Sequence, residues 1–261
     1  MHRRGHAPET DRVAVEEPME VRVNGASFAV IMRTPGADRD LAAGFLLAED
    51  VIRGVDEISI IEYCQDVTAE GRDNTINVTV TGGAVDRLAA RLGERRQVMM
   101  TASCGLCGRL TIESLKSRIA AVRGNWTVGA DVIAALPDRL RAAQSVFDST
   151  GGLHAAGLFD RNGVLQFAAE DVGRHNAVDK ICGRTLLMGQ HPLDASILLV
   201  SGRTSFELVQ KALLAGIPII AAVSAPSSLA IELAESSGIT LCGFVRNGNF
   251  NVYSHHSRLR P

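Results

Sequence analysis

The chain is predicted to be an α/β protein with a smaller β-rich N-terminal part. Continuous apolar runs of strand length, over 197–200 and 217–223, are typical of strands buried on both faces. Helical patterns alternate with these runs, and a β-α-β-α-β order favours a layered α/β sheet. We therefore divide the 261 residues into a disordered tail over 1–12, a β-rich part over 13–130 and an α/β domain over 131–261.

In the β-rich part, apolar residues alternate with polar ones over 13–32, which predicts strands. Asn24-Gly25 lies between two of these runs and predicts a hairpin turn. Asp38 is predicted to be the N-cap of a helix that ends near Glu49. Further strands are predicted over 58–63 and 75–80, and helices over 84–93 and 110–123.

In the α/β part, Pro137 is predicted to start a helix that runs to Phe147. Thr150-Gly151-Gly152 then breaks the chain before a hairpin whose turn is 160–163. The remaining predicted elements are strands over 153–159, 164–168, 197–200, 217–223, 239–245 and 251–253, a helix over 206–214 that Gly216 closes, and a helix that opens at 227–232.

The composition excludes several classes of protein. Hydrophobic residues make up 46% of the chain, so a sizeable core is expected, and the net charge of −2 gives no reason to expect a nucleic-acid or membrane partner. No apolar run is long enough for a transmembrane helix, and the N-terminus lacks the apolar stretch of a signal peptide. Five cysteines, an odd number, do not indicate a disulfide scaffold, so a cytoplasmic protein is predicted.

Cys104 and Cys107 form a Cys-x-x-Cys pair, and each is followed by glycine. A helical pattern follows, so the pair is expected in a glycine-rich loop that leads into a helix. The partial positive charge of a helix N-terminus lowers the pKa of a thiol from about 8.5 and favours the thiolate. Half of a zinc site, a dithiol redox pair and a sulfur-relay pair that carries a persulfide are all open, besides two loop residues without a role.

The segment 170–180 is rich in charged and polar residues and follows a predicted strand. One interpretation is structural, with Asp171 as a helix cap. The other is functional, with Arg174 and His175 at the edge of a pocket where they meet an anionic ligand. The two interpretations are compatible.

Two loops of small residues, 201–205 and 224–228, each follow a buried strand and open a helix. Loops at the carboxyl ends of neighbouring strands form the crevice where α/β sheets bind ligands, so a phosphate-bearing ligand is a candidate, with Arg203 and Ser224 among its contacts. A third loop over 244–249 would present Arg246 to the same crevice. The alternatives are ordinary helix capping by serine and threonine, and a hairpin on Asn247-Gly248.

Four further residues are predicted to belong to the core. His154 lies in an apolar strand, where a lone histidine is more often a core residue than a ligand. Cys64, Cys182 and Cys242 lie in apolar or strand-like segments and are expected to be small core residues.

Taken together, the ordered motifs resemble the FdhD family, the sulfur carriers needed for formate dehydrogenase activity. The resemblance covers about 15–258. It rests on the segments 32–36, 40–46, 104–108, 150–156, 170–180, 201–203, 206–211 and 222–230.

This resemblance implies a function and partners. The family takes sulfur as a persulfide from a cysteine desulfurase and passes it to the molybdenum (or tungsten) of a bis-molybdopterin guanine dinucleotide cofactor, before that cofactor enters formate dehydrogenase. It therefore implies a sulfurtransferase of molybdenum cofactor biosynthesis that holds no permanent cofactor. It also implies a homodimer and a fold similar to the cytidine deaminases with an added N-terminal part.

The resemblance also implies site residues. Cys104 corresponds to the persulfide-bearing cysteine and Cys107 to its partner. The family's cofactor-binding segment corresponds to Phe244, Val245, Arg246, Asn247, Gly248 and Asn249. Deaminase chemistry is not implied, because Ser103 precedes Cys104 and Ala155-Ala156 follows His154, where a deaminase has Pro-Cys-x-x-Cys and His-x-Glu.

Two other functions stay open. A thiol–disulfide oxidoreductase would use Cys104 and Cys107 as a disulfide pair. A zinc-binding interaction module would need a second Cys/His pair, which the sequence does not offer, so no metal ligands are predicted.

Overall fold

The computed structural model describes residues 10–65, 67–68, 71–101, 121–122 and 125–261, with the backbone alone for 94–101. The Cys-x-x-Cys loop and almost all of the helix predicted over 110–123 lie outside the described residues. The mixed arrangement of helices and sheets confirms the predicted α/β class.

A four-stranded sheet forms the N-terminal part. Its order is β2-β1-β4-β3, with β1 antiparallel to β2, parallel to β4, and β4 antiparallel to β3. Asn24 and Gly25 both have positive φ, at 50° and 79°, which confirms the predicted hairpin turn between the first two strands. The strands are β1 (Glu17–Val23), β2 (Ala26–Arg33), β3 (Ile58–Tyr63) and β4 (Thr75–Val80).

Helix α1 (Asp38–Ala48) packs beneath this sheet, and its start differs from the prediction. Asp38 is the first helical residue, and Ala37, in the left-handed region, takes the N-cap position. The Asp38 carboxylate instead accepts two hydrogen bonds from the buried guanidinium of Arg33, at 3.1 and 2.9 Å, and one from Tyr63. The prediction of Asp38 as the cap is therefore wrong, because a buried cation in strand β2 binds its carboxylate.

A six-stranded sheet with order β11-β10-β9-β8-β6-β7 forms the centre of the C-terminal part. Its middle strands β8, β9 and β10 are parallel, and the hairpins β6/β7 and β10/β11 lie at the two edges. These strands are β6 (His154–Phe159), β7 (Leu165–Asp171), β8 (Ile197–Val200), β9 (Ile219–Ala222), β10 (Thr240–Arg246) and β11 (Asn249–Ser254).

Both faces of this sheet are buried, as the continuous apolar runs predicted. Leu198 and Val200 belong to a core cluster shared with the N-terminal sheet, helix α1 and the helices over 174–187, 206–214 and 228–237. Ile197 and Leu199 belong to a second cluster with the helix over 130–141 on the opposite face. The chain after α1 forms helices α2 (Gly83–Thr101), α3 (Ala130–Arg141), α4 (Ser145–Thr150), α5 (Arg174–Leu187), α6 (Phe206–Leu214) and α7 (Ser228–Ser237).

The predicted helix start at Pro137 is wrong, because Pro137 lies inside α3 and the segment to Phe147 is divided between α3 and α4. At the end of the chain, β12 (Leu259–Arg260) pairs in parallel with β5 (Val128–Gly129), just before α3. Among the described helices, none combines the length and apolar character needed to cross a membrane.

Helices α1 and α5, one from each part of the chain, cross at a very short backbone-to-backbone distance. A β-carbon at Gly44 would lie 1.9 Å from the carbonyl oxygen of Asp179, and one at Gly183 would lie 1.8 Å from the carbonyl oxygen of Asp40. Each helix therefore presents a bare backbone to the other, and only glycine fits at these two positions.

We predict that Gly44→Ala destabilises the protein by about 2 kcal/mol or more, because a backbone atom cannot move aside as a flexible side chain can. Chemical denaturation monitored by circular dichroism measures the effect. Gly93→Ala is the matched control, since Gly93 is an exposed α2 residue whose β-carbon would meet no described atom within 4 Å. It should raise stability by about 0.5–1 kcal/mol, and equal stabilities of the two variants would contradict the close crossing.

Candidate functional site

A cavity of about 690 Å³ lies at the carboxyl ends of strands β8 and β9. Ser201 and Val223, the residues that follow these two strands, form its base, and His154 at the start of β6 lies beside them. We call this cavity the crevice. Its remaining lining residues are Pro137, Asp138, Leu140, Arg141, Gln144, Phe147, Gly151, Gly152 and Leu153.

The outer wall of the crevice comes from α3 and α4, which the sequence did not assign to a site. The Arg141 guanidinium lies over the Phe147 ring, 4.8 Å from its centroid, which gives the wall a flat, cationic surface. Glu170, at the end of β7, fixes this wall because its carboxylate accepts the backbone N–H groups of Val146 and Phe147 at 3.0 and 2.8 Å. The only sequence signal for this region is the Gly151-Gly152 break.

The three loops predicted to form one ligand site lie next to one another. The N–H of Thr204 donates to the carbonyl of Ala225 at 3.2 Å, and the N–H of Ser227 donates to the carbonyl of Thr204 at 2.9 Å. The N–H of Phe244 donates to the carbonyl of Ser224 at 3.2 Å. Loops 201–205, 224–228 and 244–249 thus share one edge of the six-stranded sheet.

The predicted cofactor-binding residues differ in what they expose. Arg203 and Arg246 are exposed, and Phe244, with φ of 53°, is half-buried beneath the Arg246 guanidinium. Val245 belongs to the core, so it offers a ligand only its backbone. Asn247 and Gly248 form the exposed β10/β11 turn, and Asn249 is the first residue of β11. The hairpin interpretation of this segment is therefore confirmed.

His154 differs from the predicted core residue, because it is half-buried and lines the crevice. Burial, together with the nearby positive charge of Arg174, lowers the pKa of the His154 imidazole from its ordinary value of 6.5. The imidazole is therefore neutral near pH 7 and offers one donor and one acceptor nitrogen.

Arg174 and His175, which the sequence predicts together at the edge of one pocket, have different surroundings. The His175 ring lies 3.0 Å from the Ser205 hydroxyl and 3.1 Å from the Glu207 carboxylate, on a separate cavity of about 220 Å³. The side chain of Arg174 lies beside Gly202, the residue that follows Ser201 of the crevice lining. His175 thus lines the smaller cavity, whereas Arg174 packs next to the base of the crevice.

Asp171 holds the segment 170–180 together and has no exposed surface. One carboxylate oxygen accepts the Gly173 N–H and the Asn176 amide, both at 2.8 Å. The other lies 2.7 Å from the Lys180 ammonium and accepts the Thr34 N–H at 3.2 Å. Asp171 is thus more than the predicted cap, since its carboxylate gathers four donors from the segment 173–180 and from Thr34 and supplies the counter-charge of Lys180.

The same cluster binds the end of strand β2. The Lys180 ammonium donates to the Thr34 carbonyl at 2.9 Å, and the Asn176 amide donates to the Met32 carbonyl at 2.7 Å. The Val172 N–H donates to the Thr34 hydroxyl at 3.1 Å. These contacts fix the N-terminal sheet against the segment that leads to the crevice.

The candidate thiols Cys104 and Cys107 lie outside the described residues. Of the other three cysteines, Cys182 and Cys242 are buried as predicted, and burial raises the pKa of each thiol to about 12. Cys64 departs from the prediction, since it is half-buried. Cys182 and Cys242 therefore cannot supply a thiolate near neutral pH.

Comparison with known proteins identifies similar chains of nearly the same length. A sequence profile of the FdhD/NarQ family matches residues 14–260. A sulfur carrier protein FdhD from Streptomyces avermitilis is 49% identical over 257 residues, which cover 95% of this chain and 89% of the relative. One from an Anaeromyxobacter species is 49% identical over 255 residues, covering 95% and 88%.

A solved structure is also similar. The crystal structure of a candidate formate dehydrogenase accessory protein from Desulfotalea psychrophila superposes with a TM-score of 0.74 at 28% identity. The alignment covers 96% of this chain and 91% of that one.

We predict that Asp171→Ala destabilises the protein by about 3–5 kcal/mol, because it leaves the buried Lys180 ammonium without its counter-charge. Urea denaturation monitored by fluorescence or circular dichroism measures the loss. Asp148→Ala is the control, since it removes an ion pair with Arg141 whose side chains are 59% and 49% exposed, and should cost less than about 1 kcal/mol. Comparable losses in the two variants would contradict the role of Asp171.

We predict that His154 titrates below 6.5, and that Arg174→Gln raises its pKa without restoring that value, because burial is the larger cause. A histidine with a lowered pKa contributes stability that is present above pH 6.5 and is lost as pH falls through the folded-state pKa. NMR titration of the imidazole protons, assigned with a His154→Gln spectrum, tests this. An unchanged pKa in Arg174→Gln would show that the guanidinium does not act on the ring.

Proposed function

The chain belongs to the FdhD/NarQ family, and from this membership we propose that it is a sulfur carrier required for formate dehydrogenase activity. Identity of 48–49% over nearly the whole chain to proteins named sulfur carrier protein FdhD is the observation that carries the proposal. The formate dehydrogenase accessory protein among the similar structures supports the same client. In this role the protein accepts sulfur from a cysteine desulfurase and delivers it to the metal of a bis-molybdopterin guanine dinucleotide, which is a substrate and not a resident cofactor.

The cysteine pair supplies the chemistry in this proposal. In the accepting step, the outer sulfur of the desulfurase persulfide moves to the Cys104 thiol, so that one persulfide forms and one thiol is regenerated without net oxidation. In the delivering step, the Cys107 thiol attacks the Cys104 persulfide, which forms a disulfide and releases the outer sulfur as hydrosulfide. A thiol reductant then restores the pair. The high pKa values of Cys182 and Cys242 support this assignment, because those thiols stay protonated.

The crevice is the proposed receiving end. A volume of about 690 Å³ lies within the range of small-molecule sites, and nucleotide-type ligands bind at strand carboxyl ends in α/β sheets. Arg203, Ser224 and the loop 244–249 lie on the same sheet edge and are proposed to contact the cofactor. Within 244–249, the backbone N–H and C=O groups are proposed as the main contacts, since the side chain of Val245 is buried.

We further propose that the C-terminal sheet is of the cytidine-deaminase kind, that the protein is a homodimer and that it acts in the cytoplasm. The sheet order supports the first of these, since a hairpin lies beside three parallel strands with helices on both faces. Superposition on deaminase structures tests the fold, and sedimentation of the full chain tests the dimer.

We predict that Cys104→Ala abolishes formate dehydrogenase activity in cells that lack their own copy of this protein, while the variant stays folded. After incubation with a cysteine desulfurase and cysteine, the wild-type chain should gain one sulfur, about 32 Da, on Cys104. Cys64→Ala, which removes a thiol that is not in the pair, should keep both the adduct and the activity.

Two results would contradict the proposal. Normal formate dehydrogenase activity in cells with Cys104→Ala would exclude a persulfide on that residue as the carrier. A loss of about 2 Da without any sulfur adduct would instead identify a thiol–disulfide oxidoreductase, the alternative that the cysteine spacing leaves open.

A further inference from the structure

His154 and Arg174 come from different elements and approach the same glycine, Gly202. A β-carbon at Gly202 would lie 3.4 Å from the His154 Nδ1 atom and 3.6 Å from the Arg174 Cδ atom. Both side chains are half-buried, and burial together with the nearby Arg174 charge lowers the pKa of the His154 imidazole. A cation and an imidazole are thus held together beside Gly202, at the crevice.

Neither side chain is used by the part of the chain that the structure describes. The Arg174 Nε atom is buried and has no hydrogen-bond partner, and its guanidinium forms no ion pair with a described carboxylate. The His154 ring likewise forms no hydrogen bond with a described residue. A buried guanidinium nitrogen without an acceptor is costly, so this arrangement calls for an acceptor beyond the residues that the structure describes.

Ser201 adds a third donor at the same place. Its hydroxyl oxygen accepts the Ala155 N–H at 2.9 Å, and its own N–H donates to the Ala155 carbonyl at 2.9 Å. The backbone contacts fix the position of the residue, and the hydroxyl hydrogen has no acceptor among the described residues. Ser201 lines the crevice next to His154, so this hydrogen is available to a ligand.

We propose that Arg174, His154 and Ser201 form an anion-binding subsite beside Gly202, and that it takes a phosphate group of a nucleotide-type ligand. A guanidinium, an imidazole N–H and a hydroxyl are the donors that proteins use for phosphate oxygens. The subsite rests on the proposed function only in assigning that phosphate to the pterin dinucleotide.

The charged groups around the subsite favour an anion. Asp171 is opposite His154 in the β6/β7 register, but its carboxylate is neutralised by Lys180. Across the crevice, Arg141 on α3 is paired with Asp148, and Asp138 is a further carboxylate of the lining. Beside Gly202, Arg174 has no counter-charge among the described residues and the exposed Arg203 adds a second positive charge, so the surroundings of this glycine are cationic.

Gly202 provides the space in which the anion binds. A methyl group there would make ordinary contacts with both neighbours, whereas a longer side chain would extend between the imidazole and the guanidinium. Gly202→Ala should therefore keep the subsite, and Gly202→Leu should fill it.

The test is titration of the full-length protein with inorganic pyrophosphate, followed by calorimetry and by NMR of His154. We expect binding that raises the pKa of His154, because an anion stabilises the imidazolium. Arg174→Gln should weaken binding at least about tenfold. Arg161→Gln, which removes the same charge roughly 17 Å away beyond the other end of β6, should not.

Equal affinities of the wild type, Arg174→Gln and Gly202→Leu would overturn the proposal, as would the absence of pyrophosphate binding by the wild type. If Gly202→Leu does not fold, Arg174→Gln and the shift in the His154 pKa decide the question. The sulfur adduct on Cys104 is measured separately. An adduct without pyrophosphate binding would refute the subsite alone, and binding without an adduct would refute the carrier function alone.

Discussion

The buried carboxylate of Asp171 is the constraint on which the rest of the structure depends. It binds donors from the β7–α5 turn, from helix α5 and from Thr34, the residue after strand β2. An ammonium such as that of Lys180 is stable in the interior only with such a partner. The next residue back, Glu170, uses its side chain to anchor α4. Asp171 therefore fixes the N-terminal sheet, and the adjacent Glu170 fixes the α4 wall of the crevice.

The close crossing of α1 and α5 reinforces this connection. Because the backbones touch at Gly44 and Gly183, the helices can neither slide nor rotate without a steric clash. The core then continues without interruption from the four-stranded sheet through these helices to one face of the six-stranded sheet. Helix α2, whose last residue Thr101 precedes Cys104 by three positions, starts from this fixed framework.

The sequence predicted the strands well, because those buried on both faces leave short continuous apolar runs between turn residues and the N-terminal ones alternate apolar with polar residues. The errors fall where a tertiary contact overrides a local preference, as at Asp38, whose carboxylate binds Arg33 instead of capping its helix. The crevice loops were predictable because strand carboxyl ends meet at one edge. The wall formed by Arg141 and Phe147 was not, since nothing in the local pattern of α3 indicates which side faces a ligand. The exposure of His154 also depends on neighbours distant in the sequence.

The pairing of β5 with β12 connects the last residues of the chain with the wall of the crevice. Leu259 and Arg260 hold Val128 and Gly129, and these two residues lead directly into α3, the outer wall of the crevice. The Arg258 guanidinium adds a hydrogen bond to the Gly238 carbonyl at 2.6 Å. An affinity tag fused directly after Pro261 would therefore be attached next to a strand that supports the wall of the crevice.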